Sequence, residues 1–351
     1  MTGKKLVFFL FFGCLGSFRW DVWIEHKRLK GLFDSLDFQP VQGLLLEPYH
    51  RTGPGRPFHD PVAAVKALML QRFEHIPSER ALAEELARSR DYRRICGFGR
   101  HTPSRGCFTH LRRRRLGVER FKDVFQTMVG QAMALGASKG RGVAMDSTAF
   151  RAYSTRDATN RRGRSDPDAN VGRAGRTYIL GYRVHLVCCA DADVPLAFTV
   201  QPISRNDKLF YKPLLEETWM TGVRFRVVAA DRQYDSLELR QWTEQAFSAE
   251  TAIPTYHRRE KQKPRKGLKV DAKFRVIGPK RLVKAYHKRL SVERIFKKMK
   301  RQLGLEIHHL RGLANVIIHA CVTLLCVLAV IIASYRAGKP SKARSIRYWT
   351  S

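Results

Sequence analysis

Apolar residues recur at helical spacing through residues 60–135 and then change period. Asp60-Pro61 pairs an N-cap with proline at the first helical position, and VAAVKALMLQRF continues that helix. Ser78 is placed to cap ERALAEELARS, and Thr102-Pro103 opens a helix that ends in Arg112, Arg113, Arg114 and Arg115. Phe121, Val124, Phe125, Met128, Val129, Ala132 and Met133 share one face of a further helix. Beyond Gly136, Val143-Ala-Met-Asp146 reads as a strand ending in an acid, and the polar, Arg-rich stretch 151–177 reads as a mobile loop. Strands Tyr178–Ala190 and Val194–Gln201 flank a tight turn at Asp191-Ala-Asp193. A helix Lys208–Thr218, a strand Val223–Ala230 ending in Asp231, a helix Ser236–Phe247 and a short strand Thr251–Thr255 follow. Residues 257–280 are basic and irregular, and a long helix runs from Lys280 to Leu303. Strands followed by strand–helix alternation predict a mixed α/β sheet flanked by helices.

Two apolar runs imitate membrane signals. Leu6–Leu15 follows a basic pair as in a short signal peptide, but no small-residue cleavage site precedes Trp20-Asp-Val-Trp. Ala314–Ala333 is about one bilayer long, yet Asn315 and His319 interrupt it, and a buried core helix is the favoured reading. The expected organisation is an extension over 1–59, a helical and DNA-binding domain over 60–135, a catalytic domain over 136–337 and a tail over 338–351.

Charge narrows the function. Lys and Arg total 65 against 31 acids, for +34. A domain this basic faces a polyanion, because each neutralised phosphate releases counterions. Nucleic acid leads, and an acidic membrane surface is the rival. The seven cysteines form no C-x-x-C pair, which argues against a zinc site or disulfide framework and suits a reducing cytoplasm, where a nucleic-acid partner would make the protein nucleoid-associated.

In so basic a chain the placement of acids is informative. Asp146 and Asp231 each end an apolar strand, where an α/β sheet presents its ligands. Two carboxylates brought together there repel, and a hard divalent cation, Mg²⁺ or Mn²⁺, resolves the repulsion. Glu293 is the best third acid. Tyr286, Arg289, Glu293 and Lys300 are spaced 3, 4 and 7 apart and fall on one helical face. From Arg258 to Arg301 there are 19 Lys and Arg against 3 acids, so Glu293 is either a salt-bridge partner or a metal ligand.

The Tyr286-x2-Arg289-x3-Glu293-x6-Lys300 pattern resembles the signature of DDE transposases encoded by bacterial and archaeal insertion sequences. Met145-Asp-Ser-Thr148 resembles the strand with that family's first Asp, and Ala230-Asp-Arg-Gln-Tyr-Asp-Ser236 its second Asp turn. Gly181-Tyr-Arg-Val-His185, with Asp191 and Pro195, resembles the central hairpin, and residues 60–117 resemble the accompanying N-terminal domain. The resemblance implies a ribonuclease H-like fold and a site for two Mg²⁺ or Mn²⁺ ions bound by Asp146, Asp231 and Glu293. It further implies that Arg289 and Lys300 hold phosphates and that Tyr286 positions the strand end. Arg294, Lys297 and Arg112–Arg115 join them as expected DNA contacts. Double-stranded DNA and a second copy of the chain on that DNA are the implied partners.

Other residues admit blander roles. His185 is either an accessory near the metal site or a structural histidine hydrogen-bonded below the sheet. Asp207 and Asp235 suit helix caps. Asp166 and Asp168 suit a solvated loop, and Trp219 and Trp242 the core. Two alternatives to a transposase remain: a structure-specific nuclease of the same fold, and a non-catalytic DNA-binding descendant, against which the presence of all three acids counts.

Overall fold

The computed structural model describes residues 27–49, 58–255, 267–271 and 273–350. The signal-like start, Cys14 and most of the basic stretch after Thr255 fall outside them. The N-terminal helices are α1 (27–34), α2 (Gln39–Leu46), α3 (Pro61–Phe73), α4 (Glu79–Arg88), α5 (Arg90–Cys96) and α6 (Arg105–His110). A π-helical turn, Leu111–Leu116, carries the arginine run and leads into α7 (Gly117–Ala134). The expected caps form: Asp60 accepts from the Val62 N–H at 2.9 Å and Ser78 from the Ala81 N–H at 3.2 Å. Helix α6 starts two residues after Pro103, at Arg105, with Ser104 at its N-cap.

The sheet comprises β1 (Gly142–Arg151), β2 (Asn170–Ala174), β3 (Thr177–Cys189), β4 (Pro195–Pro202), β5 (Val227–Ala230) and β6 (Glu250–Ala252). Strand β3 is central. It pairs antiparallel with β1 on one side and with β2 and β4 on the other, and β1 pairs parallel with β5, which pairs parallel with β6. This is the mixed order expected for a ribonuclease H-like sheet. At Gly181 the β1 and β3 backbones come so close that an added Cβ would lie 2.1 Å from the Phe150 carbonyl oxygen. Helices α8 (Tyr211–Met220) and α9 (Leu237–Phe247) follow β4 and β5, and a two-stranded ribbon, β7 (Lys269–Val270) and β8 (Val276–Ile277), precedes α10 (Lys280–His287).

The long helix expected over Lys280–Leu303 is instead α10 and α11 (Leu290–Arg301). Between them Lys288, Arg289, Ser291 and Val292 donate to carbonyls three residues back, a tightened 3₁₀ turn that bends the axis at Arg289. Helix α12 (Leu313–Arg336) is long and apolar enough to cross a membrane, but its most apolar stretch is 94% buried against α7, α3 and β4. It fills the centre of one continuous apolar core shared by the sheet and the N-terminal helices. The short α13 (Ile346–Thr350) caps its far end, where Trp349 donates to Ser334 at 3.0 Å.

The loop 151–177 is folded rather than loosely solvated. Asp166 is fully buried, accepting from the Tyr182 hydroxyl at 2.8 Å and the Gly312 N–H at 3.1 Å. Asp168 accepts from the Leu313 N–H at 2.8 Å. Both acids therefore tie the loop to the N-terminus of α12, where free N–H groups and the helix dipole favour a carboxylate. The cap assignments also shift by one residue. Asn206 caps the turn at 207–210, while Asp207 is buried and takes Ser147 Oγ at 2.8 Å and Arg183 at 2.7 Å. Asp235 pairs with Arg240 at 2.8 Å, and Ser236 is the N-cap of α9.

Candidate active site

Strands β1 and β5 stay paired only as far as Met145 and Ala230. Asp231 is the first residue beyond β5, and Asp146 sits beside it at the level where that edge of β1 loses its neighbour. Asp146 therefore does not end its strand, as the sequence suggests, because β1 continues to Arg151 along β3. It ends the shared ladder. In-register residues of parallel strands face the same way, so side chains at this level leave two backbones about 4.8 Å apart on one face of the sheet. On that face α11 lies across β1 and β3 through Val292, Ile295 and Met299, with Ser291 Oγ 3.3 Å from Cys188 Sγ.

The bend at Arg289 aims its guanidinium back at the sheet. One Nη binds an Asp146 carboxylate oxygen, and the other binds Glu293 at 2.6 Å. The Tyr286 ring lies 5.6 Å from the same guanidinium. Burial pushes the Asp146 carboxyl up to about 6; Arg289 and the Ser147 N–H oppose the rise, and the charges of Asp231 and Glu293 add to it. Burial also pulls the Arg289 guanidinium down, but Asp146, Glu293, Tyr286 and Asp231 together outweigh it and leave its pKa raised. Tyr286 is raised, first by burial, with Asp231 and Asp146 contributing. These groups form one electrostatic unit with more negative than positive charge.

The oxygen donors suit a hard divalent ion. Among the described residues, however, no three His, Cys, Asp or Glu side chains are close enough to hold one metal ion. Asp146 and Glu293 are both bound to Arg289, and Asp231 completes the trio of acids from the end of β5.

The remaining expected contacts fall in several places. Lys300 reaches the end of β1, donating to the Ala149 carbonyl at 2.6 Å, and pairs with Glu306 at 2.8 Å. Lys297 is exposed. Arg294 points away from the acids to the fully buried Asp193, which Arg344 also binds at 3.1 Å and Lys298 approaches at 3.9 Å. Arg112 is not a surface group: it is buried and bound to Glu79 and Asn315. Arg115 stacks on Tyr49 at 5.0 Å, leaving Arg113 and Arg114 exposed.

His185 pairs across the ladder with Ser147, not Asp146, so it occupies the opposite face of the sheet. There it packs 4.6 Å from Phe210, with neither ring nitrogen hydrogen-bonded among the described residues, and burial pushes it down to about 4. Neither sequence reading of His185, metal-site accessory or hydrogen-bonded support, describes this. A basic cavity of about 740 Å³ opens nearby, bordered by Arg173, Arg183, Arg205 and Lys208 around Asp207.

Comparison with known proteins adds three findings. The Transposase DDE domain family matches residues 137–329, and a Transposase domain (DUF772) matches residues 19–114. No curated protein matches the chain. A solved structure of piggyBac transposase in a synaptic complex with hairpin DNA is similar at 11% identity, covering 93% of this chain and 78% of that one, with a TM-score of 0.49.

Proposed function

The chain belongs to the Transposase DDE domain family, and from that premise we propose that Asp146, Asp231 and Glu293 form its reaction centre. The substrate is double-stranded DNA: the phosphodiester at each end of a mobile element is cut, and the freed strand is joined to a target. The observation that carries this reading is the meeting of Asp146 and Asp231 at the end of the β1–β5 ladder, with Glu293 linked to Asp146 through one guanidinium.

Mg²⁺ or Mn²⁺, as one or two ions, is the group these oxygens would take, and it would activate the attacking oxygen and offset charge on the leaving one. Asp146 and Asp231 would hold it. The chain's own groups do the rest. The half-buried Tyr286 offers a ring beside the acids for a strand end, and Arg289 is the cation nearest the scissile phosphate. Lys300 fixes the far end of β1, which keeps the strand bearing Asp146 in register with α11. Joining two element ends calls for two copies of the chain on the DNA.

Asp146→Asn tests the assignment, because it removes the charge and keeps the shape. Cleavage of element ends in Mg²⁺ should fall by on the order of 10⁴-fold, with DNA affinity nearly unchanged. Cleavage at the parental rate by the purified variant would remove Asp146 from the reaction.

A further inference from the structure

A second basic cleft, of about 530 Å³, lies between the N-terminal helices and the loop joining α11 to α12. Its walls include Arg72, Arg80, Arg105, Arg112, Arg113 and Arg311, against a single carboxylate, Glu79. Glu79 is already committed to Arg112. Among the described residues, no carboxylate lies in ion-pair reach of the other five arginines.

Arg72 is the group that points to a ligand. Its Nη1 lies 3.3 Å from His319 Nδ1. A guanidinium keeps its protons, so that ring nitrogen accepts, and His319 Nε2 carries the hydrogen it donates to the Leu305 carbonyl at 3.0 Å. His319 is thus held neutral and supplies no counter-charge. Arg72 Nε is buried and has no hydrogen-bond partner among the described residues. Burial lowers the Arg72 guanidinium to about 10. A buried cation with a spare donor is costly unless an anion completes it.

The cleft also lies along β1 from the acids. His308 on its rim is 3.2 Å from the Arg151 carbonyl, and Arg311 stacks over Tyr153 at 5.1 Å. Five residue steps along the strand take Asp146 to Arg151, roughly 17 Å at 3.3 Å each, or about five steps of duplex at 3.4 Å.

We propose that this cleft seats a backbone phosphate of the same DNA that Asp146, Asp231 and Glu293 cut, so that the N-terminal helices and the catalytic sheet grip one duplex together. Arg72 supplies the buried end of the seat, and Arg113 and Arg311 its exposed rim. The inference rests on the DNA-cutting reading above.

The test is binding of a duplex spanning an element end, by the full chain, over a salt series. Each lost phosphate contact makes the slope of log K against log salt about 0.9 shallower. The double variant Arg113→Ala, Arg311→Ala, which strips the rim from the single seated phosphate, should therefore lose close to one slope unit. Arg224→Ala, an exposed arginine stacked on Trp219 far along the chain, should lose none. Arg72→Gln should lose about one, with its melting temperature recorded to exclude misfolding. If the parent binds and cuts the duplex while the cleft variants keep its slope, the seat is refuted and the reaction centre stands. If the parent neither binds nor cuts, the DNA reading itself fails. Inorganic phosphate that stabilises the parent without any change of DNA slope in the variants would make the cleft a free-anion site and would also overturn the proposal.

Discussion

Two acidic sites beside α11 are treated in opposite ways. Asp193 is fully buried, and three cations, Arg294, Lys298 and Arg344, surround it. At the other site three acids, Asp146, Asp231 and Glu293, share the field of one guanidinium, Arg289. The first arrangement is saturated and can only hold structure together: it pins the β3–β4 turn, where Asp193 adopts a left-handed φ of 57°, to α11 and to the chain's C-terminal segment. The second is short of positive charge in a protein whose net charge is +34. Among the described residues this acidic cluster has a single guanidinium bound to it, and under the proposal above a divalent cation from outside would complete it.

The sharpest way to break this contrast is to neutralise each acid in turn. Asp146→Asn should remove end cleavage by on the order of 10⁴-fold and leave the cooperative unfolding transition in place. Asp193→Asn should do the reverse. The amide tolerates the left-handed turn, but the buried charge is gone, and removing one partner of a buried ion pair costs about 3–5 kcal/mol. Denaturant titration reads that loss, and cleavage per folded molecule should be preserved. Equal losses of stability in the two variants would erase the distinction between the sites.

The sequence made one of these acids legible and hid the other, for a physical reason. Asp146 and Asp231 stand out because each follows an apolar run, and a strand's pattern is local. The caps at Asp60 and Ser78 were readable for the same reason, since a cap's partner lies within three residues. Asp193 is bound by Arg294, 101 residues away, and Arg112 by Asn315, 203 residues away, and no local pattern encodes such partners. Asp166 and Asp207 look like loop and cap acids until α12 and β1 are folded against them. The bend at Arg289 was hidden too. The stretch Lys280–Leu303 has continuous helix propensity, and the tight turn is set by packing of α10 against β5 and β6 and of α11 against β1 and β3.

A third titratable group sharpens the comparison from the neutral side. His185 is buried with no hydrogen bond to its ring among the described residues, and burial pushes it from 6.5 down to about 4. The unfolded chain takes up this proton near 6.5 and the folded chain only near 4, so the contribution is full above the unfolded value and is lost as pH falls through that window. The most it can be worth is about 3 kcal/mol. Melting curves between pH 7 and pH 4 should show His185→Leu losing less stability over that range than the parent; identical pH profiles would mean that the ring ionises freely in the fold.

Arg294→Gln carries the smallest effect and tests the saturation argument most directly. Arg294 is 41% exposed, and Lys298 and Arg344 remain on Asp193 when it is gone. A group so exposed is screened by solvent, so the cost should be about 1 kcal/mol or less, well below that of Asp193→Asn. The same variant decides whether the basic face of α11 binds DNA as a whole. With its Nε and one Nη bound to Asp193, Arg294 already has its charge matched, and the salt slope of DNA binding should match the parent's. A slope about 0.9 shallower would return Arg294 to the DNA interface and would mean that Asp193 releases it when the duplex arrives.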